Sequence, residues 1–173
     1  MDTLTELAIK HKTDKWGKHN YTPFYYKLFQ NKSKRKRVRK VLEIGAGEGA
    51  GLRMFRDFFT NAMIYGAEID KGRVFKEERI EVIECDQTKR EDLVNLLKIT
   101  GLDLDLVIDD GSHQPKDQVY TCLSMLAGLE KGCTYVIEDV ADPKIIKEIK
   151  KHYKARLVVV GDRYDDQLIV IKK

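Results

Sequence analysis

The sequence is poor in cysteine. It has three, at positions 85, 122 and 133, in a chain of 173 residues. An odd number builds no closed disulfide framework, and Cys122 and Cys133, eleven apart, lack the spacing of a zinc site. They read as reduced, buried thiols, so the expected location is cytoplasmic. No apolar run approaches the roughly 18 residues of a membrane span. The opening Met-Asp-Thr-Leu-Thr-Glu has no basic stretch followed by an apolar one, which excludes a secretory signal there. Repeats, low-complexity tracts and Pro/Gly/Ser linkers are also missing, so no domain boundary is marked. A chain of this length buries a full core as one domain.

Excess charge is scarce too, and it has one source. Seven basic residues (Lys32, Lys34, Arg35, Lys36, Arg37, Arg39, Lys40) crowd one segment; without them 25 basic residues face 28 acidic ones. Such a block suits a nucleic acid or a solvated loop. It leads directly into Val41-Leu42-Glu43-Ile44, a strand by its apolar run, and so lies at that strand's N-terminal edge. Residues 1–37 are expected to form a helical arm and a basic lead-in loop, with the main body in 38–173.

From residue 38 strands and helices alternate. Strands are expected at Val38–Ile44, Ala62–Ala67, Ile80–Glu84, Leu104–Asp109 and Thr134–Glu138. Helices carry Leu52, Phe55 and Phe59, then Leu93, Leu96 and Leu97, then Pro115 to Ala127. Thr88-Lys-Arg-Glu91 has the form of a capping box, and Thr22-Pro23 and Asp142-Pro143 each resemble a cap followed by a first-turn proline. Leu157–Val160 and Gln167–Ile171 are separated by six residues, too few for a helical crossover, so they must form an antiparallel hairpin. The fold class is therefore α/β, a seven-stranded, mostly parallel sheet with one reversed strand near its end.

Chemistry concentrates where strands end. Val107-Ile108-Asp109-Asp110-Gly111-Ser112-His113 and Tyr135-Val136-Ile137-Glu138-Asp139 are apolar runs closing in paired carboxylates. Ligands of parallel sheets bind beyond the carboxyl ends of strands, and neighbouring strands lie roughly 4.8 Å apart. If these two are adjacent, Asp110, Glu138 and Asp139 converge as hard oxygen ligands for Mg²⁺ or Mn²⁺, with His113 as a base. Asp109 and Asp110 point to opposite faces of an extended chain. Asp110 is the expected ligand, and Asp109 a structural or cofactor-side carboxylate. Gly45-Ala46-Gly47-Glu48-Gly49 follows the first strand and opens a helix, a turn that lets backbone approach a ligand. It also satisfies a dinucleotide fingerprint, with Glu68 placed to hold a ribose and Asp70 as runner-up. Against a nicotinamide cofactor stand the reversed last strand, the lack of a second domain and the acidic end at Asp86.

These features resemble the class I S-adenosylmethionine-dependent methyltransferases, whose sheet is Rossmann-like and three-layered. Val41 to Gly49 looks like their first motif and Ile64-Tyr65-Gly66-Ala67-Glu68 like the second. The Asp-Gly-Ser-His segment, the Glu-Asp pair and Thr13-Asp14-Lys15 with His19-Asn-Tyr21 are similar to the antibiotic-sugar O-methyltransferases of the mycinamicin and demethylmacrocin type. The resemblance implies S-adenosylmethionine held by Glu43, Gly45, Gly47, Gly49 and Glu68, with Asp86 and Gln87 at the adenine. It implies a metal on Asp110, Glu138 and Asp139, His113 as general base, and His19 and Tyr21 at the lid or substrate. Trp16 is weighed as a substrate platform against simple packing.

The reading that follows is metal-assisted O-methylation of a sugar or polyketide-like small molecule. A catechol-type O-methyltransferase and a non-catalytic adenosyl-binding module are the alternatives. A small hydroxyl acceptor is the expected partner, and a homo-oligomer is compatible with it. No membrane is expected, nor a nucleic acid, because the Asn/Asp-Pro-Pro-aromatic motif of base methylation is absent after Ile108.

Overall fold

Short apolar runs flanked by turns become strands when both of their faces can be covered, and five of them do so here. The computed structural model describes residues 1–173. Strands β1 (Lys40–Ile44), β2 (Met63–Glu68), β4 (Ile80–Glu84), β5 (Leu106–Asp109) and β6 (Thr134–Ile137) run parallel, and β8 (Gln167–Lys172) pairs antiparallel with both β6 and β7 (Lys154–Val159). A two-residue strand, β3 (Lys76–Glu77), adds an antiparallel edge, giving the order β3-β4-β2-β1-β5-β6-β8-β7. The sheet thus has eight strands where the sequence predicted seven; β3 is too short and too exposed to carry an apolar signature.

Alternate residues of each strand enter opposite layers. Val41, Ile64, Ile108 and Val136 pack beneath α1 (Thr3–His11), α2 (Thr22–Leu28) and α4 (Ala50–Phe58). Leu42, Ala67, Val107 and Tyr135 pack beneath α5 (Arg90–Thr100), α6 (Pro115–Gly128) and α7 (Ile146–Ile149). This two-residue period decides which layer each strand-end carboxylate enters. Glu43 and Glu138 fall on the α1/α2/α4 side, and Asp109 on the other.

The N-terminal arm is part of the core. Leu4 and Ala8 of α1 and Tyr25 of α2 are fully buried, and Asp57 of α4 accepts hydrogen bonds from Lys10 (2.9 Å) and shares one with His11 (2.8 Å). The basic segment differs from the loop expected. Lys32–Arg37 forms a short helix, α3, capped by Asn31 Oδ1 accepting from Lys34 N. Its basic stems cover aromatic edges: Lys34 lies over Phe29 and Arg35 over Phe58. α3 sits at the start of β1, at the rim opposite the strand ends that carry the carboxylates.

Two local expectations also shift. The predicted capping box at Thr88–Glu91 does not form; α5 begins at Arg90, and Asp86 instead binds Thr88 N and Oγ1 in a turn. Asp142 does cap, through Lys144 N, but what it opens is a single 3₁₀ turn that leads into the one-turn α7, which ends at Ile149.

Candidate active site

The carboxyl ends of the central strands finish in step. Ile44 lies opposite both Ala67 and Asp109, and Asp109 opposite Ile137. Backbone hydrogen bonds carry this alignment one residue further, from Asp110 N to Ile44 O and from Glu138 N to Asp109 O, each 2.9 Å. The four loops that follow therefore meet along one rim. β5 and β6 are neighbours, as the convergence of their acidic ends requires.

At β1 the chain turns sharply through Gly45, whose φ is +86°, and a β-carbon there would overlap the Asp110 carbonyl. Only glycine lets these two loops touch. Beside this turn lies a cavity of about 340 Å³, lined by Gly45, Gly47, Glu68, Asp86, Gln87 and Asp110 among others. Glu68 accepts from Gly47 N (2.7 Å) and Asp70 N (3.0 Å), one bond on each carboxylate oxygen. Each oxygen keeps a lone pair for a further donor. Asp70 turns away to cap the 3₁₀ turn at Gly72. Asp86 lines the cavity, and its bonds from Thr88 hold its pKa below the usual carboxylate range.

A second cavity of about 350 Å³ adjoins the first, sharing Gly45, Gly47 and Asp110, and reaches Glu43, His113 and Asp139. Asp110, His113 and Asp139 each offer an atom within 4.8 Å of the other two. His113 Nδ1 is 3.7 Å from Asp139 Oδ2, and its side chain is 44% exposed. Both residues adopt positive φ, 56° at His113 and 48° at Asp139, a conformation that side chains with a β-carbon rarely take. For Asp139 this turn is what frees it from strand alternation: β6 ends at Ile137, and the left-handed step swings Asp139 to the rim.

Glu138 does not share that freedom. It stays buried on the α1/α2 side, accepting from Tyr25 Oη (2.5 Å) and from Lys15 Nζ. Lys15 is 2% exposed and also lies 2.8 Å from Asp110 Oδ2 and 3.0 Å from Glu43 Oε1. Burial disfavours its charge, but Asp110, Glu138 and Glu43 more than compensate and hold its pKa well above the ordinary value. Glu138, expected from the sequence as a metal ligand, is a buried carboxylate with both oxygens already engaged, and it lies outside the Asp110, His113 and Asp139 group. Asp109 is corrected outright as a cofactor-side group: it is 1% exposed in the opposite layer, accepting from Tyr135 Oη (3.0 Å) and Gln87 Nε2 (3.1 Å). Burial pushes its pKa up to about 7.

Gln87 has a double part. It lines the first cavity, yet its amide is spent on Asp109, Thr121 and Ser112 N, and so it fixes the Gly111 loop. His19 and Tyr21 stack at 4.9 Å between ring centres; Tyr21 Oη donates to Asp139, and His19 Nδ1 pairs with Asp166 at 2.8 Å. They brace the acidic rim from behind and are buried. Trp16 packs against the apolar core, the simpler of its two readings. Sequence reasoning singled out no role for Lys15, Tyr25 or Asp166. The Thr13-Asp14-Lys15 segment marked Lys15 by resemblance without giving it a role, and the other available signal was a surplus of carboxylates at the strand ends.

No family profile matches the chain. Similarity to individual proteins is extensive. The chain is 37% identical over 145 residues to 8-demethyl-8-alpha-L-rhamnosyl tetracenomycin-C 2'-O-methyltransferase of Streptomyces olivaceus, covering 79% of this chain and 37% of that protein. It is 35% identical to demethylmacrocin O-methyltransferase of Streptomyces fradiae and 37% to mycinamicin VI 2''-O-methyltransferase of Micromonospora griseorubida, with 79% of this chain and 36% of each relative covered. It therefore spans little more than a third of the curated relatives it matches. Among solved structures, the MycE methyltransferase of the mycinamycin pathway in complex with Mg and SAH superposes with a TM-score of 0.79 at 28% identity, over 99% of this chain and 54% of that one. Fibrillarin of Methanococcus jannaschii, 21% identical with a TM-score of 0.58, shares the fold over 80% of this chain and 67% of its own. No helix is long and apolar enough to cross a membrane. With the aligned strand ends, the glycine turn and the reversed β8, these likenesses show that the chain has the class I methyltransferase fold and is, over 79% of its length, homologous to these sugar O-methyltransferases.

Proposed function

We propose that this chain transfers a methyl group from S-adenosylmethionine to a sugar hydroxyl of a natural-product-like small molecule, in the cytoplasm, with help from a divalent metal ion. The observation that carries this reading is the junction of the two cavities at Gly45, Gly47 and Asp110. One is lined by the glycine turn and the β2 carboxylate, the other by two carboxylates and an imidazole. A donor in the first would present its methyl group to an acceptor in the second.

The donor set fits a small hard cation. Asp110 and Asp139 supply oxygens, His113 stands beside them, and Mg²⁺ commonly takes one or two carboxylates and completes its shell with water and substrate. Bound there, the metal would lower the acceptor hydroxyl's pKa and orient it, while the cofactor supplies an electrophilic methyl group. The protein residues do the rest. Glu68 accepts from the ribose hydroxyls, Gly47 and its neighbours cradle the amino-acid portion with Glu43 beneath them, and Asp86 and Gln87 border the adenine. Gly49 ends the turn that opens α4. His113 takes the hydroxyl proton as oxygen attacks the methyl carbon and the sulfur–carbon bond breaks.

The test is transfer of labelled methyl to macrolide and tetracenomycin glycosides. Chelator should stop turnover without unfolding the protein or releasing cofactor, and Mg²⁺ or Mn²⁺ should restore it. Full turnover in excess chelator rejects the metal's part. Transfer to catechols and to no glycoside rejects the acceptor class.

A further inference from the structure

The Lys15 ammonium is the buried charge at this rim for which the proposed chemistry has no use. It occupies the middle of three carboxylates, from Glu43, Asp110 and Glu138, as a bound cation would. Asp110 is shared, since it also belongs to the open set with His113 and Asp139. The ammonium touches one oxygen of each carboxylate, and Glu43 Oε2 is buried without any partner. Uncompensated charge is expensive away from water.

We propose that Lys15 is the resident cation of a two-cation carboxylate cluster: a positioning residue that holds Asp110 and Glu138 in place and restricts the site to a single divalent ion. The inference rests on the metal-assisted reading above and adds the residue that sets its stoichiometry. The segment that brings Lys15 also brings His19 and Tyr21 against Asp166 and Asp139, so one stretch of chain supplies the charge and braces the rim. With Lys15 in place, a divalent ion meets the open side at Asp110 and Asp139, next to His113. Without it, Glu43, Asp110 and Glu138 become a second set of hard oxygens.

Mn²⁺ binding followed by electron paramagnetic resonance tests this directly, on the wild type, Lys15→Met and the charge-keeping Lys15→Arg, with circular dichroism reporting folding. Wild type and Lys15→Arg should bind one Mn²⁺. Lys15→Met should bind two, or one with Kd lowered at least about tenfold, because a neighbouring positive charge is gone. A folded Lys15→Met variant that binds one Mn²⁺ with unchanged Kd overturns the proposal. Should Lys15→Met not fold, the lysine side-chain ¹⁵N signals of the wild type decide. The Lys15 ammonium resonance, identified by its loss in Lys15→Arg, must persist at saturating Mg²⁺; its disappearance means that the metal displaces it and overturns the proposal. A wild type that binds no Mn²⁺ rejects the metal reading separately. In that case a Mn²⁺ site gained by Lys15→Met still supports the role of Lys15, and no gain overturns it.

Discussion

His113 combines a chemical and a conformational demand at one position. Its imidazole faces the cavity while its backbone sits in the left-handed region, a state costing about 1–2 kcal/mol for a residue with a β-carbon. The two demands separate by substitution. His113→Ala should lower methyl transfer by roughly 10²–10⁴-fold, the contribution of a positioned base, with cofactor affinity kept. His113→Gly should be as inactive yet more stable than His113→Ala by about 1 kcal/mol, since glycine relieves the strained φ. Kinetics and thermal melts check both; an undiminished rate in His113→Ala would move the base elsewhere. Asp109 gives a second residue-level expectation. Its folded pKa of about 7 lies above the ~3.9 of an unfolded aspartate. The stability it contributes is therefore full below about pH 4 and is lost as pH rises through about 7. Asp109→Asn cannot ionise, so its melting temperature relative to the wild type should rise between pH 5 and pH 8. A constant difference over that range would show that Asp109 is charged in the fold.

At the scale of elements, the β1–α4 turn and the α1–α4 clasp carry separable loads. Glu68 holds the glycine turn through Gly47 N and keeps lone pairs toward the cavity. Glu68→Ala should weaken S-adenosylmethionine binding by about 1.5–3 kcal/mol, the loss expected for hydrogen bonds to a charged group. Calorimetry giving wild-type affinity in a folded variant would remove Glu68 from the ribose. The clasp is different in kind. Despite partial burial, Lys10, His11 and Arg56 hold the Asp57 carboxyl well below its usual pKa. A depressed carboxylate stabilises the fold at neutral pH and stops doing so as pH falls through its range. Asp57→Asn should cost about 0.5–1 kcal/mol, a modest amount because Lys10 is largely exposed, and cofactor affinity should not change. Denaturant melts measure the first quantity and calorimetry the second.

For the molecule as a whole, the separation of the basic helix from the acidic rim by the length of β1 sets one more expectation. Neutralising Lys34, Arg35, Lys36 and Arg37 should leave methyl transfer to a small acceptor nearly unchanged. The same variant should lose any salt-sensitive affinity for polyanions. A large fall in turnover in a stable variant would mean that α3 communicates with the site.

The sequence by itself determined the alternation of strands and helices, the reversed strand and the acidic strand ends, because these depend on periods of two and 3.6 residues and on turn chemistry that act locally. It determined the split between Asp109 and Asp110 for the same reason, since adjacent residues of a strand cannot face the same layer. It left β3 unseen, where two exposed residues carry no pattern, and misread Lys32–Arg37, where a short helix is held by its Asn31 cap and by stems laid on Phe29 and Phe58. The tertiary structure alone decided what surrounds each carboxylate. Glu138 and Asp139 are neighbours in the chain, yet a single left-handed step at Asp139 opens one to the cavity while the other stays against Lys15 and Tyr25. Lys15 reaches Glu138 across 123 positions of sequence. A contact of that span is fixed by the packing of α1 and α2 on the sheet, and nothing in the neighbourhood of either residue encodes it.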